Sequence, residues 1–311
     1  MMRIGLWACG PGMGLDAPLD EMLERFVKAE ADGFASAWAA NIFNYDALTL
    51  LTLAGRVTKT LELGTAVVPT YPRHPAALAQ QALTAQAAAG NRLTLGIGPS
   101  HKLVIETLFG LDYSKPLRHM REYLSVLNGL LTGQPTAYQG EEYRVGAQFT
   151  VPNAARPPVL VAALGPKMLK LAGTMADGTI IWMGGPKYLE QTAVPLITKA
   201  AHEAGRPAPR VVAGFPVAVT NRPESARAAA VTTFAMYSSL PAYRAILDIE
   251  GAPDAAGASI IGDEAEVRRQ LRHLAEVGVT DLNAAPFPIT DDPAALQRTL
   301  AFLAELARTG V

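Results

Sequence analysis

The stretch Leu61 to His101, LELGTAVVPTYPRHPAALAQQALTAQAAAGNRLTLGIGPSH, decides the fold. It holds an apolar strand pattern, a proline-rich turn, an apolar helical run, and a second strand ending in Gly96-Ile97-Gly98-Pro99-Ser100-His101. Two strands joined by such a crossover are parallel, because a parallel pair needs a dozen or more connecting residues. Tyr71, Arg73, His74, Ser100 and His101 fall just after the two strands. In parallel α/β folds the carboxyl ends of the strands form the ligand-binding face, so these residues are the first functional candidates.

Outward from this unit the same grammar recurs. Ala31-Asp32-Gly33, Ala89-Gly90, Ala176-Asp177-Gly178 and Glu276-Val277-Gly278 each precede a short apolar run, as one helix-to-strand junction repeated. Further strand patterns begin at Arg3, Pro158 and Arg210. Helical spacing is read over 18–31, 46–57, 166–175, 188–204, 263–277 and 293–308. Eight βα units predict a (β/α)8 TIM barrel, α/β in class, as one domain over 1–311. A doubly wound open sheet is the alternative. Insertions are expected after strands 4 and 7. The first, over 133–157, carries a hairpin-like Tyr138 to Val145. The second, over 222–262, carries Phe234, Tyr237 and Tyr243 and then a loose run from Gly251 to Gly257. Both are expected to shape the pocket or an oligomer contact.

Half of the 311 residues are hydrophobic and 18% are charged, ample for a large core, and the net charge of -1 gives no footprint for nucleic acid. The apolar segment before Gly10-Pro11-Gly12 is too short for a secretory signal, and no apolar run approaches a membrane span. We therefore expect a cytoplasmic protein. A single cysteine, Cys9, excludes an internal disulfide; it reads as a packing residue or as a neighbour of the pocket. No two-His-carboxylate spacing suggests a metal.

The glycine pair Gly96 and Gly98 either brings backbone amides to a planar ring or phosphate, or makes a plain tight turn. It lacks the third glycine of a dinucleotide fingerprint, and no P-loop lysine motif occurs. Ala162 to Met168 runs from a strand end into a helix start, which is either an anion site or a helix with proline in its first turn. His101 stands best for proton transfer at the mouth, with a solvated loop histidine as the alternative. His74 is read as structural; His119, His202 and His273 are read as ordinary. Asn41 offers a neutral contact to a cofactor's polar edge, and Asp46 is expected to cap a helix. Trp7, Trp38 and Trp182 each close a strand, as core or as a platform for a planar ligand.

Through Gly64-Thr65-Ala66-Val67-Val68-Pro69-Thr70-Tyr71-Pro72-Arg73-His74-Pro75, Asn91-Arg92-Leu93-Thr94-Leu95-Gly96-Ile97-Gly98 and Ala176-Asp177-Gly178, the chain resembles the luciferase-like family of flavin and deazaflavin oxidoreductases. It is most similar to the branch dependent on coenzyme F420, with further likeness over Lys115 to Leu124, Ala162 to Met168 and Leu282 to Phe287. The resemblance implies a non-proline cis peptide at Ala66-Val67 behind the tricyclic ring. It implies that Pro99, Ser100 and His101 lie beside the ring, and that Ala163, Leu164 and Gly165 contact the cofactor. It also implies a homodimer. Members acting on sugar phosphates carry an Asp-His pair where this chain has Ala40-Asn41, an acidic residue where it has His101, and a lysine where it has glycine around Gly184-Gly185. Sugar-phosphate oxidation is therefore not expected, and any acid or base role shifts to His101. The resulting expectation is an F420-dependent oxidoreductase that moves a hydride between deazaflavin C5 and a small organic substrate. An FMN-dependent monooxygenase of the same fold, or a non-catalytic flavin-binding protein, is the alternative.

Overall fold

The computed structural model describes residues 2–10 and 12–311; Met1 and Pro11, the latter within the sequence run Gly10-Pro11-Gly12, lie outside them. Eight strands form a ring: β1 (Arg3–Cys9), β2 (Ser36–Ala39), β3 (Glu62–Thr65), β4 (Leu93–Gly98), β5 (Val159–Ala162), β6 (Gly178–Trp182), β7 (Arg210–Val219) and β8 (Asp281–Pro286). Each pairs in parallel with the next, and β8 returns to β1 in the register Arg3↔Asp281 to Leu6↔Ala284, so the sheet is closed. Helices α1 (Leu19–Ala31), α2 (Ala47–Val57), α3 (Pro75–Ala88), α4 (Pro116–Leu131), α5 (Pro166–Met175), α6 (Val194–Glu203), α7 (Glu264–Glu276) and α8 (Ala295–Thr309) surround it. The protein is a (β/α)8 barrel.

The period-2 alternation of the strands sorts the core into two bodies. Outward residues such as Ile4, Leu63, Leu95, Val161 and Leu282 pack against the helices. Inward residues, among them Trp7, Trp38, Leu160, Ile180, Trp182 and Val212, fill the barrel. Trp38 is fully buried and donates its indole N–H to Ser36 Oγ at 2.9 Å. It fits only because the facing residue is glycine: a Cβ on Gly64 would stand 2.2 Å from the indole ring. Trp38 is therefore core, not a mouth platform.

The amino-terminal end of the barrel is closed by ions. Arg210 pairs with Asp281 at 2.7 Å and Glu62 at 2.9 Å, and Arg3 pairs with the same two carboxylates at 3.2 and 2.7 Å. Thr94 adds a hydroxyl bond to Glu62 at 2.7 Å. Burial would raise the Glu62 pKa, but the two guanidinium groups hold it below the ordinary carboxylate value.

Several expectations are refined. The helix expected over 188–204 is broken into Pro186–Tyr188, a π-turn at Leu189–Ala193 and α6, at the point where Pro195 has no N–H to give. Gly178 is not a left-handed helix cap like Gly33 (φ 90°) and Gly278 (φ 102°); it opens β6, where a Cβ would lie 2.0 Å from the Arg210 carbonyl oxygen. The insertion between strands 4 and 5 does form a hairpin, Thr136–Gln139 with Arg144–Ala147. It is entered from the carboxyl end of α4 and is held along that helix by Glu122, which accepts three backbone N–H groups of residues 141–143. The insertion after strand 7 folds into helices Pro223–Thr233, Ala235–Ser239 and Pro241–Glu250, a 3-10 turn at Ala255–Ala258, and a short strand Ile260–Gly262 that extends the pairing of β7.

Candidate active site

At the carboxyl ends of β3, β4 and β5 the backbone makes an uncharged shelf. The Thr65 hydroxyl donates to the Gly96 carbonyl at 2.7 Å and accepts the Gly96 N–H at 2.8 Å. The chain then passes through the cis peptide Ala66-Val67 and resumes pairing with β4 at Val68↔Ile97 and Pro69↔Gly98. Val67 lies across the glycine pair: a Cβ on Gly96 or Gly98 would stand 3.1 Å from one of its methyl groups. Gly98 also faces Ala162, 2.9 Å from where its Cβ would be. Close packing of three strand ends thus requires the two glycines, and it brings Ala66, Val67, Gly98 and Ala162 into one patch.

The segment after β4 is gripped twice. The Thr70 hydroxyl lies 3.3 Å from the Gly98 carbonyl and 2.9 Å from His119 Nε2, while His119 Nδ1 lies 3.2 Å from the Tyr143 hydroxyl. One tautomer satisfies the whole chain: the Tyr143 hydroxyl donates to Nδ1, Nε2–H donates to Thr70, and Thr70 donates to Gly98. Burial pushes the His119 pKa down to about 4, so the ring stays neutral despite Glu142 and Glu122 nearby. Tyr71 stacks on His119 at 3.8 Å and on Tyr113 at 5.1 Å, and the Tyr113 hydroxyl donates to the Ser100 carbonyl at 2.8 Å. Ser100 itself is held at φ 62°. His119 is therefore not an ordinary helical histidine; its partners Thr70 and Tyr143 are 49 and 24 residues away in the chain, and no local pattern announces them.

His101 is half-buried at the start of a short helix, Lys102–Thr107, and its ring lies 5.9 Å from Tyr243. Its side chain makes no hydrogen bond or ion pair among the described residues, and burial lowers its pKa. At neutral pH it is an uncharged imidazole, able to accept a proton or a hydrogen bond. Asn41 stands at the same end, but its Oδ1 accepts the Ala47 N–H at 3.1 Å, which gives it a helix-capping duty; its amide nitrogen remains for a ligand. Asp46 caps α2 as expected and also binds Arg73. His74 caps α3 through the Ala76 N–H.

Across β5, Ala163 is buried, Leu164 half-buried and Gly165 exposed. The Leu164 carbonyl accepts the Tyr188 hydroxyl. Gly165 starts α5 with open space about it, and the adjacent Lys167 makes no ion pair among the described residues. The arrangement can hold a planar, uncharged ring on the shelf and an anionic tail near the α5 amides.

The far wall comes from the strand-7 insertion. Trp7 and Trp182 meet edge-to-face at 4.4 Å, and Trp182 touches Phe234 and Tyr237, each at 5.8 Å. Tyr237 meets Tyr243 at 5.1 Å, and Tyr243 reaches His101. These aromatics share one apolar cluster with Ala66, Val67, Ala162 and Leu164. A cleft of about 510 Å³ lies elsewhere, between the insertion and α7. Its lining includes Arg227 together with Asp263 and Glu266 at the start of α7. Among the described residues no group of His, Cys, Asp and Glu side chains is placed to hold a metal, and no helix is long and apolar enough to cross a membrane.

Comparison with known proteins adds a family. The profile of the family described as luciferase-like monooxygenase matches residues 2–281. A 5,10-methylenetetrahydromethanopterin reductase of Methanolobus tindarius is 32% identical over 179 residues, covering 57% of this chain and 54% of the reductase. The chain thus spans about half the length of the curated relatives it matches. Among solved structures, the coenzyme F420-dependent tetrahydromethanopterin reductase of Methanopyrus kandleri superposes with a TM-score of 0.80 at 24% identity, over 98% of this chain and 97% of the other. The oxygenating constituent of 3,6-diketocamphane monooxygenase from Pseudomonas putida, in complex with FMN, gives 0.77 at 18%, over 100% and 99%. At these identities the two structures establish the fold alone.

Proposed function

This chain belongs to the luciferase-like monooxygenase family, and we propose that within it the protein is an F420-dependent oxidoreductase acting on a small organic substrate. The observation that carries the reading is the shelf of Ala66, Val67, Gly98 and Ala162: uncharged, closely packed, and held at Gly98 by Thr70, which His119 engages in turn. Similarity to the methylenetetrahydromethanopterin reductases, together with the likeness to a tetrahydromethanopterin reductase described as coenzyme F420-dependent, supports the deazaflavin over FMN. Reduced F420 supplies a hydride at C5 when bound. Ala66, Val67, Gly98, Pro99 and Ser100 would support its ring, with Asn41 offering an amide donor to the polar edge. Ala163, Leu164 and Gly165 would line the course of the tail, with the α5 amides and Lys167 toward its negative charge. His101 would hold or move the substrate's proton, entering the reaction uncharged because no carboxylate offsets its burial. The insertion's aromatics would exclude water and set orientation.

An FMN-dependent monooxygenase is the second reading, favoured by the FMN-bound neighbour. Side-by-side fluorescence titration of the purified protein with F420 and FMN separates the two. We expect micromolar or tighter F420 binding and FMN at least tenfold weaker; preference for FMN would replace this reading with the monooxygenase. A homodimer and a cytoplasmic location belong to the same proposal, the first tested by analytical ultracentrifugation and the second by fractionation of the source cells.

A further inference from the structure

We propose that the substrate taken at this mouth is an uncharged, hydrophobic molecule with a planar face and a carbonyl-type acceptor, and not an anion. The inference deepens the oxidoreductase reading and rests on it for the identity of the site. Its first ground is the far wall. From His101 a run of largely buried rings passes through Tyr243, Tyr237 and Trp182 to Trp7, with ring centroids 5.9, 5.1, 5.8 and 4.4 Å apart. Such faces attract planar apolar bodies by area and by offset or edge contacts. Burial raises the phenol pKa of Tyr237 to about 12 and that of Tyr243 further, so both hydroxyls stay neutral.

Its second ground is the fate of the neighbouring charges. Arg244 is tied to Asp248 and to the carbonyls of Ala252 and Pro253. Lys187 donates to the Glu250 carbonyl, and the Glu250 carboxylate accepts the Tyr188 N–H. Arg222 donates to the Asp291 carbonyl. Among the described residues Arg244, Lys187 and Arg222 of this wall are thus engaged by protein groups, and burying an unpaired ion costs several kcal/mol. Neutral donors do remain: the buried indole N–H of Trp7 has no partner, and that of Trp182 has only the neighbouring Tyr237 hydroxyl to turn to. They suit a carbonyl oxygen.

The third ground is the rim. Phe43, Leu103, Leu108 and Met236 are 68, 66, 57 and 58% exposed, on the loops that follow β2, β4 and β7 at the mouth. Large apolar side chains left in water around an aromatic interior make an approach for a hydrophobic ligand.

Calorimetric titration with three probes of one ring system tests the proposal: 2-acetonaphthone, 2-naphthoate and 2-naphthylmethylammonium, each on the apoprotein and on protein saturated with F420. The ketone should bind at least tenfold tighter than either ion, and Tyr237→Leu should weaken the ketone about fivefold while leaving F420 affinity within twofold. A charged probe within tenfold of the ketone, or no ketone binding up to millimolar concentration, would overturn it. F420 fluorescence on the same preparation reports separately on the cofactor. If F420 fails to bind while the ketone preference holds, the cofactor reading falls and the substrate class stands.

Discussion

The two ends of the barrel are built from the same eight strands and treat polarity in opposite ways. At the amino-terminal end, Arg3, Glu62, Arg210 and Asp281 are paired among themselves, and Asp281 is only 1% exposed. At the carboxyl end, two indole N–H groups and one guanidinium nitrogen of Arg73 are without a geometric hydrogen-bond partner, and His101 has no charged partner. One strand carries both characters: β1 begins with Arg3 in the ion cluster and reaches Trp7 at the mouth; β7 begins with Arg210. A closed end with matched charges holds the fold. An open end with unmatched donors is the end at which barrels bind ligands.

Four variants sharpen or break this contrast. The largest effect is expected for Arg210→Met, which leaves Asp281 and Glu62 short of a cation: about 3–5 kcal/mol lost in urea unfolding. Because Arg210 keeps the Glu62 pKa low, the stability it gives is full above the unfolded carboxylate value and is lost as pH falls through the folded one. The gap between wild type and variant should therefore narrow as the pH drops below about 4. A gap that stays constant down to pH 3 would break the assignment.

Next is Gly98→Val, whose side chain would press on Ala162 and Val67. We expect about 1–3 kcal/mol of destabilisation and at least a tenfold loss of F420 affinity by fluorescence titration. His119→Gln should cost about 1–2 kcal/mol through the chain from Tyr143 to Gly98. With its folded pKa pushed down to about 4, His119 makes the wild type lose stability as pH falls from about 6.5 to about 4, because the unfolded chain takes up the proton first. Denaturant melts across that range should show a shallower slope in the variant. The smallest structural effect belongs to His101→Gln: stability within about 0.5 kcal/mol and F420 affinity within threefold, yet turnover of an accepted substrate lower by about 10²-fold. Unchanged turnover would remove His101 from the chemistry.

The sequence carried the barrel because its signals are local. The period of each strand, the glycine after α1, and the helix start at Pro75 lie within a few residues of what they control. Asp46 was legible as a cap, and His74 as structural, for the same reason. The cis peptide at Ala66-Val67 was legible only through family resemblance, since no propensity marks it. What stayed hidden is long-range. Arg210 and Glu62 are 148 residues apart, so their pairing exists only once the ring closes. His119 looked ordinary because its partners arrive from the strand-3 loop and the hairpin. Trp38 closes a strand like Trp7 and Trp182, but Gly64 on the adjacent strand lets it lie inside the barrel.

The most direct test measures F420 affinity and urea midpoint together for wild type, Arg210→Met and Gly98→Val under one set of conditions. The division between the two ends predicts that Arg210→Met lowers the midpoint furthest while F420 affinity stays within threefold. It predicts that Gly98→Val loses affinity at least tenfold with the smaller loss of stability. If Arg210→Met loses F420 binding while folded, or Gly98→Val keeps it, the carboxyl-end shelf is not the cofactor site.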